Sequence, residues 1–435
     1  MNENAADAQK ALLVGVALPA IPRWEAEDSL DELERLAETA TLEVGGRALQ
    51  VRKSVDRTFY VGKGKAQELK ERSEEIGADL IIFDNDLSPA QMRNLEELTD
   101  MRILDRSGLI LDIFALHART HTAQVQVELA QLNYLLPRLT RMWTHLSRQA
   151  GGGAIRGMGA AGVRGPGETQ LEIDRRMIRG RISHLRSRLD RIGTQLATSR
   201  KGRADLFKVA LVGYTNAGKS TLMRALSGAD VLIEDQLFAT LDSTSRIVEL
   251  EGPRKIMLTD TVGFINRLPH HLVASFRTTL EEAEEADLLL HVVDLSAKNY
   301  QSQATTVEQV LEELGIAEKP TLMVYNKVDR LDDDLVIPNG NEPSVAVSAL
   351  SGAGLPELQR ILVELSSGDA LTLELVIPQS EGKLLAQLRE RGEVIQEEYR
   401  ASDVLLRVRL DRTWAERWQL ERFVPDSISG EVPRN

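Results

Sequence analysis

"FKVALVGYTNAGKSTLMRALSG", residues 207–228, decides the architecture of this chain. An apolar run suited to a buried strand ends at Gly213, the octet Gly213 to Ser220 matches G-x-x-x-x-G-K-[ST], and a stretch suited to a helix follows. The octet alone can arise by accident, but the flanking strand and helix are what its chemistry requires. Backbone N–H groups of such a loop, together with the helix N-terminus, cradle phosphate oxygens. The cradle is the run Gly213, Tyr214, Thr215, Asn216, Ala217, Gly218, Lys219, Ser220 and Thr221. Lys219 is placed to reach the β and γ phosphates, and Ser220 to coordinate Mg²⁺ through its hydroxyl.

Three further motifs follow in order. "KIMLTDTVG" is an apolar strand ending in Asp260, with Gly263 three residues on. The carboxylate suits the Mg²⁺ side of a phosphate-loop enzyme, through water, and the Gly263 N–H suits the γ-phosphate. A strand-ending Asp before a turn is the bland reading, and its order after the phosphate loop tips the balance. "PTLMVYNKVDR" delivers Asn326, Lys327 and Asp329. A carboxylate accepts two parallel hydrogen bonds, matching the N1–H and exocyclic amine of guanine; adenine lacks that donor pair. "SVAVSAL" then places Ser348 and Ala349 where a backbone amide can meet the guanine oxygen. Each motif is weak singly. Four in order, each at a strand's end, read as a GTP-binding domain and count against an ATP-dependent enzyme. Between the first two, "LFATLDSTSR" offers hydroxyls for a loop over the γ-phosphate, and spacing does not choose among Thr240, Ser243 and Thr244.

In the 435-residue chain, apolar content of 42% with 4% aromatic fits a soluble protein of several domains, and the absence of cysteine excludes disulfides and thiolate chemistry. The run "ALLVGVALPA", 11–20, follows Glu3 and Asp7 where an export signal needs positive charge, so it reads as a first buried strand. No apolar run approaches the length of a membrane helix. Net charge is -13, yet Arg138 to Lys208 holds 16 Lys/Arg against 5 Asp/Glu, which is +11 there and leaves -24 elsewhere. Such asymmetry is the footprint of a local polyanion-binding surface; a solvated basic helix explains the charge alone equally well.

In residues 11–118 the apolar runs "ALLVGVAL", "ADLIIFDN" and "GLILDIFAL" alternate with the amphipathic stretches "SLDELERLAETA", "KAQELKERSEEIG" and "SPAQMRNLEELTD", implying a small α/β domain with a partly parallel sheet. "VGKGK", 61–65, lacks phosphate-loop spacing and reads as a tight basic turn. Val125, Leu129, Leu132, Leu136, Leu139, Trp143 and Leu146 step by four and three, as do Ile178, Ile182, Leu185, Leu189, Ile192 and Leu196. Two such seams imply an antiparallel helical hairpin, kinked at Pro137. Its connection, 151–170, has eight glycines in its first 17 residues beside Arg156 and Arg164. On composition alone a flexible linker is the favoured reading, and ordering upon RNA the alternative. The tail from about 370 reads βαββα, with Trp414 and Trp418 on one helix face as core.

The blocks "YVGKGKAQEL", "IIFDNDLSPAQMRNLEE", "ILDRSGLILDIFALHARTHTAQVQVELAQLNYLLPRL", "RGPGETQLEIDRR", "GYTNAGKSTL", "DTVGFI" and "NKVD" make the chain resemble the HflX-type ribosome-associated GTPases of the Obg-HflX group, over nearly its whole length. The resemblance implies a multidomain α/β protein: an α/β domain over 1–120, a basic helical hairpin over 121–204, a phosphate-loop GTPase domain with a doubly wound, mostly parallel sheet over 205–367, and a small α+β domain over 368–435. It implies a cytoplasmic, partly ribosome-associated monomer that uses GTP and Mg²⁺, binds the large ribosomal subunit and its RNA, and separates stalled or idle ribosomes. In the family motif "FATLD", Phe238 belongs to the nucleotide loop and Thr240 is the switch threonine on Mg²⁺; Lys219, Thr240 and Gly263 form the catalytic set. Arg156, Arg164, Arg175 and Arg176 fall in the segment that implies RNA contact. Phe264 stands where many switches keep a water-orienting Gln, and an apolar residue there is a family feature, so the missing stabilisation should come from a partner or a rearranged switch. Arg277 is an internal candidate, though a surface ion pair is the simpler reading. The rival functions are an RNA-remodelling or assembly GTPase and a switch acting on a protein partner.

Overall fold

The run "KALLVGVA" forms β1 (Lys10–Ala17), whose side chains are buried on both faces, as a central strand of a parallel sheet requires. In this computed structural model the described residues are 9–19, 21–139, 170–200, 206–228, 237–238, 240–241, 243–250, 254–267, 282–331, 338, 343–366, 370–411, 415 and 418–425. They fall into two compact units, one comprising Met1–Gly202, Glu234–Asp242 and Val262–Glu281, the other Arg203–Ile233, Ser243–Thr261 and Glu282–Asn435.

In the first unit β1 is flanked by β2 (Glu43–Val51) and β3 (Leu80–Phe83), with β4 (Arg102–Asp105) beyond, giving the all-parallel order β2-β1-β3-β4. Sequence patterning passed over β2 and β4, the one glycine-bearing and half-exposed, the other only four residues long. Helix α1 (Arg23–Thr39) buries Leu30, Leu33, Leu36 and Ala37. "VGKGK" opens α2 (Lys63–Ile76): Gly62 has φ +89°, and a Cβ there would fall 2.5 Å from Arg52 Nη1, whose guanidinium caps the Val61 carbonyl. The basic turn is therefore a helix start. Helix α3 (Pro89–Thr99) begins in a capping box between Ser88 and Gln91. "GLILDIFAL" belongs to a helix, α4 (Arg106–His117), capped by Asp105 and buried from Arg106 to Leu111 and at Ile113 and Phe114, while Ala115 and Leu116 near its end are exposed.

The hairpin forms between α5 (His121–Leu135) and α6 (Gln170–Arg200), where Val125 and Leu129 pack on Ile182 and Leu185, flanked by Leu132, Leu136, Ile178 and Leu189. Arg181 clamps Glu128 at 2.7 and 2.8 Å. At Pro137 the α-helix ends in a 3₁₀ turn, Leu136–Arg138, where a kink was expected, since proline removes a donor. Trp143, Leu146, Arg156, Arg164 and the glycine-rich segment lie outside the described residues, as do Arg277 and Trp414; so does the Leu196 side chain.

Both segments that flank the nucleotide motifs belong to this first unit. Phe238 meets Phe114 edge to face, centroids 4.8 Å apart. Arg267 bonds the carboxylate of Asp84 at 3.1 Å, an acid 3% exposed that also accepts from Ser29 and Arg106, both at 2.7 Å. Phe238 and Arg267 each have φ +57°, a left-handed conformation that bulky residues keep only when their surroundings demand it.

The second unit is built on a six-stranded sheet, β10-β9-β8-β5-β7-β6, formed by β5 (Phe207–Gly213), β6 (Thr244–Glu249), β7 (Lys255–Asp260), β8 (Leu288–Asp294), β9 (Thr321–Asn326) and β10 (Ser344–Ala346). All pairs are parallel except β6 with β7. Helices α7 (Lys219–Ser227), α8 (Tyr300–Glu313) and α9 (Leu355–Leu365) accompany it. β5 has β7 on one side and β8 on the other, so the strand order reverses at β5, which is where an open α/β sheet forms its crevice. The tail forms an antiparallel sheet of β11 (Ala370–Pro378), β13 (Asp403–Asp411) and β12 (Glu393–Tyr399) with α10 (Gly382–Arg391), and Trp418 packs on its core. A 3₁₀ turn, Leu420–Phe423, occupies part of the anticipated last helix. No helix of the described residues is long and apolar enough to cross a membrane.

Candidate nucleotide-binding site

The loop after β5 is shaped by its two octet glycines. Gly213 has φ +152°, and a Cβ there would lie 2.3 Å from the Val292 carbonyl of β8; Gly218, at φ +93°, would press one to 2.3 Å from Asn326 Nδ2. Only glycine lets the loop lie this close to the ends of both strands. Asn216 makes the intervening left-handed turn, φ +59°.

The loop's carbonyl oxygens are held by the protein. Lys219 Nζ donates to Gly213 O and Tyr214 O at 3.2 and 2.9 Å, Lys327 Nζ to Asn216 O at 2.7 Å, and Asn326 Nδ2 to Ala217 O at 2.9 Å. With these carbonyls taken up by side-chain donors, a loop of this kind can present backbone N–H groups to an anion. Gly218 is the N-cap of α7, so the helix N-terminus opens at the same place. Burial pulls the Lys219 ammonium down to about 8, against the favourable charge of Asp260 and with the adverse charge of Lys327. Phosphate oxygens beside it would favour the charged form again.

Ser220 Oγ donates to Asp260 Oδ2 at 2.6 Å, the latter buried at the end of β7. A hydroxyl and a carboxylate side by side are hard oxygen donors and fit Mg²⁺, which takes one or two protein ligands and completes its octahedron with phosphate and water. Among the described residues no group of three or more His, Asp or Glu converges into an all-protein cage. Thr240 and Gly263 are described, the first half-buried and the second buried, and both belong to the other unit. Phe264 is 2% exposed. Its ring is buried hydrocarbon with nothing to orient a water.

At the base end, Ser348 Oγ holds Asp329 Oδ1 at 2.5 Å, and Ser351 N in turn holds Ser348 Oγ at 3.0 Å. Asp329 is otherwise exposed, on the turn Val328–Arg330 after β9. The Ala349 amide, expected to meet the guanine oxygen, donates to Asn326 Oδ1 at 3.0 Å. Asn326 therefore braces the phosphate loop and the base loop together. Lys327, itself at φ +64°, makes a second brace through Asp294 Oδ2 at 2.7 Å.

Sequence reasoning missed Asp294 and His291, both on β8. Asp294 ends an apolar strand, the same signal that singled out Asp260. Burial, and then the charge of Lys219, push His291 down to about 4 from an ordinary 6.5. Because the folded form keeps His291 neutral while the unfolded chain takes a proton below pH 6.5, stability is unaffected at neutral pH and is lost as pH falls toward 4. Between pH 7 and 5.5 this histidine is expected to lower stability by about 1 kcal/mol. Urea unfolding of wild type and His291→Phe at both pH values measures it: the difference between the two pH values should shrink by that amount in the variant.

A phosphate loop at the switch point of a parallel sheet, a Ser–Asp pair for a divalent cation and a serine-braced Asp329 define a guanine-nucleotide-binding phosphate-loop protein. Family models agree: "GTP-binding GTPase N-terminal" matches residues 27–115, "GTP-binding GTPase Middle Region" 117–203, and "50S ribosome-binding GTPase" 208–327. "GTPase HflX" of Caldanaerobacter subterraneus subsp. tengcongensis is 43% identical over 401 residues, 92% of this chain and 90% of that one. "GTPase HflX" of Escherichia coli K12 is 46% identical over 395 residues, 88% and 90% of the respective chains. A crystal structure of SsGBP with GDP is 27% identical, with a TM-score of 0.44, covering 82% of this chain and 98% of that one. The chain belongs to the HflX family of GTPases, and it hydrolyses GTP.

Proposed function

We propose that this GTPase grips the large ribosomal subunit through its basic hairpin in the GTP state, separates stalled or idle ribosomes into subunits, and lets go after hydrolysis. The observation that carries this reading is α6. Its apolar seam is spent on α5, while Arg176, Arg179, Arg186 and Arg191 are exposed. Arg179 and Arg186, seven residues apart, share one helix face, and Arg175 is half-buried beside them. A stripe of guanidiniums on a rigid helix suits an RNA backbone. The match to a model described as a 50S ribosome-binding GTPase supports the same partner.

In the reaction, the loop amides and Lys219 hold the triphosphate, Asp329 selects guanine, and water attacks the γ-phosphate to leave GDP and phosphate. Ser220, and Asp260 through water, would hold Mg²⁺, which would neutralise charge on the phosphate oxygens. Density-gradient sedimentation of ribosomes incubated with the chain and a non-hydrolysable GTP analogue tests the reading. Free subunits are expected. With Arg179→Glu and Arg186→Glu together, intact ribosomes should remain while GTP turnover by the protein alone is unchanged. Unseparated ribosomes with wild type would favour an RNA-remodelling or assembly role, and subunit binding that survives the charge reversal would favour a protein partner.

A further inference from the structure

The phosphate loop contains a buried hydroxyl, that of Thr215, without a hydrogen-bond partner among the described residues. The carbonyls of Gly213, Tyr214, Asn216 and Ala217 are all bonded by Lys219, Lys327 or Asn326. Thr215 lies in the middle of this run, is 6% exposed, and its buried Oγ1 has no hydrogen-bond partner among the described residues. A hydroxyl stripped of water and left unbonded opposes folding, and buried polar groups of this kind are uncommon in native proteins. A valine would fill the same space without that cost, so the hydroxyl has its value when a ligand is bound.

Its position indicates which part of the ligand. Helix α7 starts at Lys219, and its N-terminal amides suit the inner phosphates. The Lys219 side chain runs back from there to the carbonyls of residues 213 and 214, carrying its ammonium to the end of the site where the terminal phosphate belongs. Thr215 follows directly, with the Tyr214 carbonyl before it and the Asn216 carbonyl after it each fixed by a lysine. A phosphate oxygen only accepts hydrogen bonds, and a threonine hydroxyl donates one.

We propose that the Thr215 hydroxyl donates a hydrogen bond to a γ-phosphate oxygen of GTP, which makes it a residue that distinguishes GTP from GDP and steadies the group under attack. The proposal rests on the GTPase assignment and adds to it a contact that the phosphate-loop pattern, silent about its third position, does not specify.

The test uses the full chain with Thr215→Val, which keeps the shape and loses the hydroxyl, and Thr215→Ser, which keeps the hydroxyl. Affinities for fluorescent GDP and for a fluorescent non-hydrolysable GTP analogue are measured beside single-turnover hydrolysis and the nucleotide-free melting temperature. Thr215→Val is expected to bind GDP as wild type does, to bind the analogue about tenfold or more weakly, and to hydrolyse GTP more slowly, as the loss of a hydrogen bond to a charged group implies. Its nucleotide-free melting temperature should be equal or higher, because an unbonded buried hydroxyl has gone, and Thr215→Ser should restore both binding and turnover. A variant with an unchanged ratio of GTP-analogue to GDP affinity overturns the proposal, and so does one that loses GDP binding equally. A wild-type chain that binds neither nucleotide would instead remove the GTPase assignment.

Discussion

Isolated large ribosomal subunits are expected to accelerate GTP turnover by this chain by about 10³- to 10⁵-fold over the protein alone, the range that an added transition-state stabiliser supplies in related switches. The residue after D-x-x-G is Phe264, and its ring is 2% exposed. A buried hydrocarbon neither aligns water nor meets developing charge, so the chain by itself should turn over slowly. Turnover measured at fixed salt with protein alone, with naked ribosomal RNA and with subunits separates the possibilities. Acceleration by subunits only means that the assembled particle completes the site. Equal acceleration by naked RNA favours an RNA-remodelling role, and fast turnover with no partner would sink the account of Phe264.

The second large effect concerns the base. Asp329→Asn is expected to weaken GDP binding by about 10² or more, because a site built to hydrogen-bond a donor pair discriminates by 10⁴ to 10⁵ when that match is lost. The carboxamide presents one donor where guanine needs an acceptor, so the exocyclic amine of guanine meets an N–H. Xanthine has an oxygen in place of that amine, and its diphosphate should bind the variant better than it binds wild type. Calorimetric affinities for GDP, ADP and xanthosine diphosphate check this. The variant keeps a side chain for Ser348 Oγ to bond, so the base loop is retained. Guanine selectivity unchanged in the variant would remove Asp329 from base recognition.

Much of this site was legible in one dimension because it is built from local rules. The octet, the strand-ending Asp260, N-K-x-D and S-A are each short, each attached to a strand with a plain apolar pattern, and their order alone implied guanine. The hairpin seams were equally open to view, since a period of four and three over many residues has one sensible partner. What lay hidden depends on neighbours far apart in sequence. His291 and Asp294 look like ordinary positions of an apolar strand until β8 is laid beside β5 and β9, when one comes within reach of the charge of Lys219 and the other holds Lys327. "GLILDIFAL" has the composition of a buried strand, and burial of most of a helix, from Arg106 to Leu111 and at Ile113 and Phe114, which no local pattern records, made it α4.

The sequence by itself therefore determined the chemistry: which atoms can hold phosphate, metal and guanine is a property of residue types at short spacing. Only the tertiary structure decided how those atoms are braced and what remains for the ligand. Asn326 ties the two loops together, Ser348 aims Asp329, Phe238 and Arg267 are held at Phe114 and Asp84, and Thr215 keeps a buried hydroxyl without a partner among the described residues. The reason is physical. Hydrogen-bond satisfaction and burial are sums over everything packed around an atom, and most of those neighbours lie tens to hundreds of residues away along the chain.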